Sequence, residues 1–209
     1  MEADADDTPA VRAIVGRIEG GVKRGAIEEQ VKRMNSGLGD HTASQFEPGL
    51  TELGRLLGAE ASKPAGQARC DSAWCWDERL WLAMEAKSEH GADGEITVKD
   101  VRQAGTQLRS LAADRGVDIP ETSASVIVSP RNSVAPDAAD AAEDHVHLVA
   151  PDAIRGLAAD AAAAWEELLN RSPGHTGAAL HNLVRQIFSG RRSLSTQVRE
   201  RLTVLPVRG

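Results

Sequence analysis

The stretch D-S-A-W-C-W-D-E-R-L-W-L-A-M-E-A-K, residues 71–87, decides how the chain reads. Residues 71–76 and 80–87 are rich in Trp and short apolar side chains. The polar break Asp77-Glu78-Arg79 parts them, which is the pattern of a β-hairpin with a short loop. A loop centred on Glu78 sets the register: Trp76 opposite Leu80, Trp74 opposite Leu82, and Asp71 opposite Glu85. Strand side chains alternate between faces, so Asp71, Glu85 and Lys87 are expected on one face. Trp74, Trp76, Leu80, Leu82 and Met84 take the other. A solvated hairpin has no need of two carboxylates and a lysine at the end of an apolar strand; a divalent-metal site does.

The chain has 209 residues, enough for one domain with a core of its own. At 41% hydrophobic and 26% charged, its composition is that of an ordinary globular protein. No stretch approaches the roughly 18 apolar residues of a membrane span. The acidic opening M-E-A-D-A-D-D-T-P carries no signal-peptide pattern, and residues 1–10 read as a disordered leader. Cys70 and Cys75 are the only cysteines. Five residues apart, they would point to opposite faces of a strand. They imply neither a disulfide framework nor a zinc set, so a reducing cytoplasm is the simplest setting.

The net charge of -7 is unevenly spread. Residues 11–34 hold six Lys/Arg against three Glu, and residues 183–209 hold six Arg against one Glu. Residues 134–170 hold eight acids against one Arg. The basic ends are either ordinary solvated helix faces or a surface that meets phosphates.

Outward from the hairpin, residues 9–34 read as helix on the stripe Val11, Ile14, Val15, Ile18, Val22, Ile27 and Val31, with Gly20-Gly21 as a break or bend. Residues 35–41 read as a loop. A helix over 48–57 carries Leu50, Leu53, Leu56 and Leu57, with Pro48 in its first turn and Gly58 at its end. A short strand over 59–62 leads to the hairpin. Thr97 caps a helix over 98–113 whose buried stripe is Val101, Ala104, Leu108 and Leu111. Residues 123–129 form a strand buried on both faces, 136–144 a short acidic helix, and 145–150 another strand. Helices follow over 152–169 and about 176–188, and 194–205 is ambiguous. Three strands in a meander, then strands alternating with helices, predict an α/β fold. Its mixed central sheet is flanked by helices on both faces, with extra N- and C-terminal helices. Residues 11–209 read as one domain, with a core over about 48–150 and a helical extension over 151–209.

Phosphodiester hydrolysis needs an attacking water, a stabiliser for the charge developing on phosphorus, and help for the leaving oxygen. Divalent cations held by hard oxygen ligands can supply all three. Asp71, Glu85 and the Ala86 carbonyl are the expected ligands. Lys87, on the Glu85 face, would orient the water and neutralise charge.

On these residues the chain resembles the PD-(D/E)xK nuclease superfamily, the restriction-endonuclease-like fold. The match is Asp71 followed by Glu85-Ala86-Lys87 at the end of L-W-L-A-M. Gln103, in V-R-Q-A-G-T-Q-L, is similar to the glutamine that several branches carry on the next helix. Glu52, in L-T-E-L-G-R-L-L-G, is similar to the acid that some branches place on the preceding helix as an extra ligand. Glu60 competes with it for that role. Cys70 stands where the family name has proline. The resemblance covers about 40% of the chain, residues 48–129.

The resemblance implies a Mg²⁺-dependent DNA nuclease, with Mn²⁺ able to substitute. Asp71, Glu85, Ala86 and Glu52 would hold the metal, Lys87 would position water, and Gln103 would assist. It also implies DNA as partner, a helicase or another restriction, repair or phage-defence subunit as companion, and a homodimer as a common assembly. The rival is a catalytically silent member of the fold that binds DNA or assembles proteins. His145 and His147 lack an evident third ligand. No phosphate-binding loop or nucleophile elbow is present.

Overall fold

The computed structural model describes residues 7–66 and 69–208. In chain order the elements are α1 (Thr8–Glu19), α2 (Arg24–Gly39), α3 (Ala43–Leu56), β1 (Glu60–Ser62), β2 (Ser72–Trp76), β3 (Leu80–Ala86), β4 (Glu95–Ile96) and α4 (Val98–Arg115). There follow β5 (Ala124–Val128), β6 (Ser133–Val134), α5 (Pro136–Asp140), β7 (Val146–Val149), α6 (Pro151–Arg171), α7 (Gly177–Gly190) and α8 (Ser195–Leu202). Among the described residues the main sheet has the order β1-β2-β3-β5-β7, and β4 and β6 pair as a small parallel ribbon. Strands β1, β2 and β3 are antiparallel neighbours, while β3–β5 and β5–β7 are parallel. The fold is α/β, with a mixed sheet covered by helices on both faces.

The hairpin register is the expected one: Trp76 pairs with Leu80, Trp74 with Leu82, and Ser72 with Met84. Asp77, at φ 50°, makes the tight turn. Trp74, Trp76, Leu80, Leu82 and Met84 join one large core cluster with the helices on their side. Ala73, Cys75, Trp81 and Ala83 face Leu108 and Leu111 of α4. Cys70 lies in that same group, so the two cysteines share a side instead of opposing one another. Cys70 precedes β2, and strand alternation does not govern it. The N–H groups of all four tryptophans donate to buried acceptors: Trp74 to Ser72 Oγ, Trp76 to the Leu57 carbonyl, Trp81 to the Asp77 carbonyl and Trp165 to the Leu56 carbonyl. They are core residues.

The stretch over 9–34 breaks where Gly20-Gly21 predicts: α1 ends at Glu19, and Gly21 takes φ 74° and turns the chain into α2. Several boundaries differ from those expected. Helix α2 then runs on to Gly39, through residues that read as loop. Helix α3 begins at Ala43, so Pro48 stands in its interior. A proline there removes one helical hydrogen bond; burial of Phe46, Leu50 and Leu53 on the same helix offsets the loss. The leader reading fails for residues 7–10. Asp7 is buried and accepts from the Ser195 hydroxyl and the Thr196 N–H at the start of α8, and Thr8 opens α1. Residues 1–6 lie outside the described residues. The main hydrophobic cluster runs from Ala10 of α1 to Leu202 of α8. The ambiguous tail resolves into α8 and a segment whose Leu205 and Val207 bond to β7 and cover its outer edge. No helix among the described residues is long and apolar enough to cross a membrane.

Helix α3 positions part of the site, and two close contacts hold it. A Cβ on Gly49 would lie 2.8 Å from the Leu38 nitrogen, and one on Gly37 would lie 2.6 Å from the Gln45 carbonyl. Helices α2 and α3 therefore touch backbone to backbone. On the sheet side, a Cβ on Gly54 would meet the Trp74 ring at 2.6 Å. Gly49→Ala has no flexible side chain to displace and forces the two backbones apart. A loss of about 1–3 kcal/mol, typical of overpacking, is expected in urea unfolding of the purified variant.

Candidate active site

The site forms where β2 begins and β3 ends. Glu85, on the last turn of apolar strand before Lys87, is 1% exposed. An ionised carboxylate at that depth needs charge-assisted hydrogen bonds. Lys87 Nζ donates to its Oε1 at 2.9 Å, Gln103 Nε2 donates to the same oxygen, and Gln107 Nε2 donates to Oε2 at 3.3 Å. Gln103 also accepts from Lys87 Nζ at 3.2 Å through its Oε1. One glutamine amide thus ties the carboxylate to the lysine. The lysine is fixed further by Asp100 Oδ1 at 3.9 Å. Asp100 is itself held by Thr97 in a reciprocal cap at the start of α4. Despite its burial, bonds from the Thr97 hydroxyl and N–H, with the Lys87 charge, keep the Asp100 carboxyl below its usual range.

Asp71 Oδ2 accepts the Ala86 N–H at 2.8 Å, which pins the acid across the mouth of the hairpin. Ala86 thereby enters the site through its N–H. The third acid is Glu47, on α3, which lies close enough to raise the Asp71 carboxyl and pairs with Lys63 just beyond β1. Beside it, Thr51 Oγ1 and Ser72 Oγ bond at 3.0 Å and lock α3 to β2. The α3 N-terminus is tied to the other rim, where the Ala43 N–H donates to Glu89 Oε1 at 3.1 Å.

Burial and the neighbouring Glu85 charge push the Asp71 carboxyl up to about 7, against the pull of the Ala86 N–H; Glu47 adds to the rise. Burial also raises Glu85, with Lys87 opposing and Asp100 and Glu47 reinforcing the rise. Lys63 moves upward, chiefly through its bond to Glu47, and the Asp71 and Glu85 charges contribute. Cys70 is pushed up to about 12 by burial and by Glu85 and Asp71, which leaves it an inert thiol.

The structure therefore brings together Asp71, Glu85, Lys87 and Gln103, the set read from the sequence. It does not bring Glu52 to them. That carboxylate is taken by Arg55 at 3.2 Å and Arg33 at 3.7 Å. Glu60 is turned to Arg115 at 2.9 Å. Glu47 replaces both. It was hidden because Pro48 reads as a helix start, which leaves Glu47 outside the helix; the spacing Phe46, Leu50, Leu53 was the available signal. Gln107, one turn beyond Gln103, was likewise missed. His147 Nδ1 contacts the His145 carbonyl at 3.2 Å, and His145 lies 3.8 Å from Glu143, so the two imidazoles do not form a ligand pair.

Three carboxylates against two lysines leave an excess negative charge in a half-buried space. Hard oxygen donors of that kind fit Mg²⁺ or Mn²⁺. Among the described residues no three acid, His or Cys side chains are already spaced as a metal cage, and Lys63 and Lys87 pair with Glu47 and Glu85. The chain matches no known protein family, no curated protein and no solved structure.

The raised Asp71 carboxyl gives a signed expectation. A raised acid costs nothing below about pH 4, where both states hold the proton, and its full cost appears as pH rises past about 7. Asp71→Asn keeps an acceptor for the Ala86 N–H and removes the charge. Without divalent cations it should be more stable than the wild type at about pH 8, by roughly 1–3 kcal/mol. The gain should vanish near pH 4. Equal unfolding midpoints at both pH values would show that Asp71 carries no such penalty.

Proposed function

We propose that the protein is a divalent-cation-dependent nuclease, a member of the PD-(D/E)xK superfamily, that hydrolyses phosphodiester bonds in DNA. The observation that carries this reading is the grouping of Glu47, Asp71 and Glu85 at one end of the hairpin, with Lys87 fixed on Glu85 by Gln103. A structural salt bridge does not need two further acids pressed against it, one raised to about 7. Sites that do chemistry on charged groups collect such perturbed carboxylates.

Glu47, Asp71 and Glu85 would hold Mg²⁺ or Mn²⁺. When bound, the cation supplies a Lewis acid for the phosphoryl oxygens and for the leaving oxygen. Lys87 is the residue that orients the attacking water. Its ammonium has three donors; Glu85 and Gln103 accept two, and the third is available for that water. Gln103 and Asp100 position Lys87. Burial of Glu85 and the apolar wall of β3 lower the local dielectric, which strengthens each of these charge interactions. Glu47 supplies the acid that α3 contributes, in place of Glu52. Restriction, repair or defence against phage is the setting the family resemblance suggests, with a helicase-type companion and a homodimer as further proposals.

The alternative is a catalytically silent module that binds DNA or assembles proteins. It draws on the fact that Lys63 and Lys87 already neutralise two of the three acids. The two readings separate in a cleavage assay with supercoiled plasmid and short DNA, with Mg²⁺, Mn²⁺ or EDTA. Metal-dependent cutting that falls at least about a hundredfold in Lys87→Ala, as for loss of a general acid–base group, is the expected result. Binding without cutting on every DNA form supports the silent module instead.

A further inference from the structure

A second feature lies on the same helix as Glu47. Glu47, Thr51 and Arg55 stand at i, i+4 and i+8 on α3 and share one stripe. Glu47, Glu52, Arg55 and Lys63 line a surface groove of about 420 Å³. A second hollow of about 440 Å³ is lined by Arg17, Gln30, Arg33, Glu52 and Arg55. Glu52 and Arg55 border both. Along α3, therefore, Glu47 of the acid site and three arginines line neighbouring hollows.

These arginines hold more charge and more donors than the structure uses. Among the described residues Glu52 is the only acid lining their hollow, and it serves Arg33 and Arg55. Arg55 Nε donates to the Ala61 carbonyl at 3.1 Å. Arg17 donates to Gln30 Oε1 at 2.6 Å and to the Arg55 carbonyl at 3.5 Å, with its guanidinium 4.7 Å from the centre of the Trp165 ring. A guanidinium offers five N–H groups. Arg33 and Arg55 remain 54% and 49% exposed. Three guanidiniums around one carboxylate leave a net positive pocket, and its charge and donors suit a phosphate oxyanion, which arginine grips with paired donors.

We propose that Arg17, Arg33 and Arg55 form a binding site for a backbone phosphate of the nucleic-acid strand whose cleavage the acid site performs. This inference rests on the nuclease reading for the identity of the strand. Eight residues separate Glu47 from Arg55, about 12 Å at 1.5 Å per residue. The anchored phosphate therefore lies within a few nucleotides of the scissile bond. The site would hold the strand in register along α3 and contribute affinity without reading sequence. Burial lowers the Arg17 guanidinium from its ordinary value, against the Glu52 charge. A bound phosphate would offset that cost.

The test is binding in EDTA, so that it does not depend on cutting. A short fluorescent DNA, single-stranded and duplex, is titrated with the full chain at several salt concentrations, and the tighter form is compared between variants. Arg33→Gln should weaken binding roughly tenfold, as for loss of a charge-assisted hydrogen bond. It should also lower the salt slope by about 0.7 for a single strand or 0.9 for a duplex. Glu52→Gln removes the competing carboxylate and should tighten binding. Arg192→Gln, which loses only an exposed pair with Glu200, should bind as the wild type. Opposite shifts in Arg33→Gln and Glu52→Gln support the site, since a merely structural network would lose affinity in both. Shifts of the same sign, no shift, or an equal loss in Arg192→Gln overturn it. Inorganic phosphate is the parallel arm: if it stabilises the fold through Arg33 while DNA does not bind, the pocket takes a free anion and the strand proposal fails. Cutting with unchanged binding in these variants defeats this inference alone. Opposed shifts without cutting defeat the nuclease reading alone.

Discussion

The desolvation of Glu85 is the constraint on which the rest of the site depends. A carboxylate at 1% exposure is tolerated only with partners, and removing one partner of a buried pair typically costs about 3–5 kcal/mol. The partners come from two pieces of structure. Lys87 lies just past the end of the same strand, two residues on. Gln103 and Gln107 come from α4, one turn apart, and α4 is oriented by the Thr97–Asp100 cap. On the other side, Glu47 is paired with Lys63, and Asp71 is pressed against the Glu85 charge, which with burial raises its carboxyl. The sheet buries the acid, the helix after it satisfies the acid, and the helix before it supplies the opposing carboxylate.

The hairpin was legible because its pattern is redundant. Polar loop, Trp-rich arms and period-two alternation all give one register, and a slip of one residue would move every tryptophan to the wrong face. The sheet's change from antiparallel to parallel was legible from the order of elements. The third acid was not. Pro48 is a strong local cue for a helix start, and tertiary packing of Phe46 and the Gly37–Gly49 crossing overrode it. Once the helix is extended to Ala43, Glu47 falls on the Thr51–Arg55 stripe and Glu52 turns to the arginines. Cys70 misled for a related reason, since alternation applies only inside a strand.

The basic ends of the chain have two fates, which composition alone cannot separate. Arg191, Arg201 and Arg208 pair with Glu167, Asp160 and Asp144, so the basic C-terminal segment and the acidic inner segment largely cancel. Such exposed pairs add little stability, but they remove three of the cations that had read as a phosphate surface. Arg17 and Arg33, from α1 and α2, are instead gathered with Arg55 on a surplus of positive charge. The close crossing at Gly37 and Gly49 brings α2, and with it Arg33, against α3.

The nuclease proposal requires that Glu47, Asp71 and Glu85 together hold a divalent cation. Calorimetric titration of Mn²⁺ into the wild-type protein and into Glu47→Gln and Glu60→Gln at neutral pH tests this. Saturable binding is expected in the wild type and in Glu60→Gln, and its loss in Glu47→Gln. Binding that survives in Glu47→Gln, or no binding in any of the three, would contradict it.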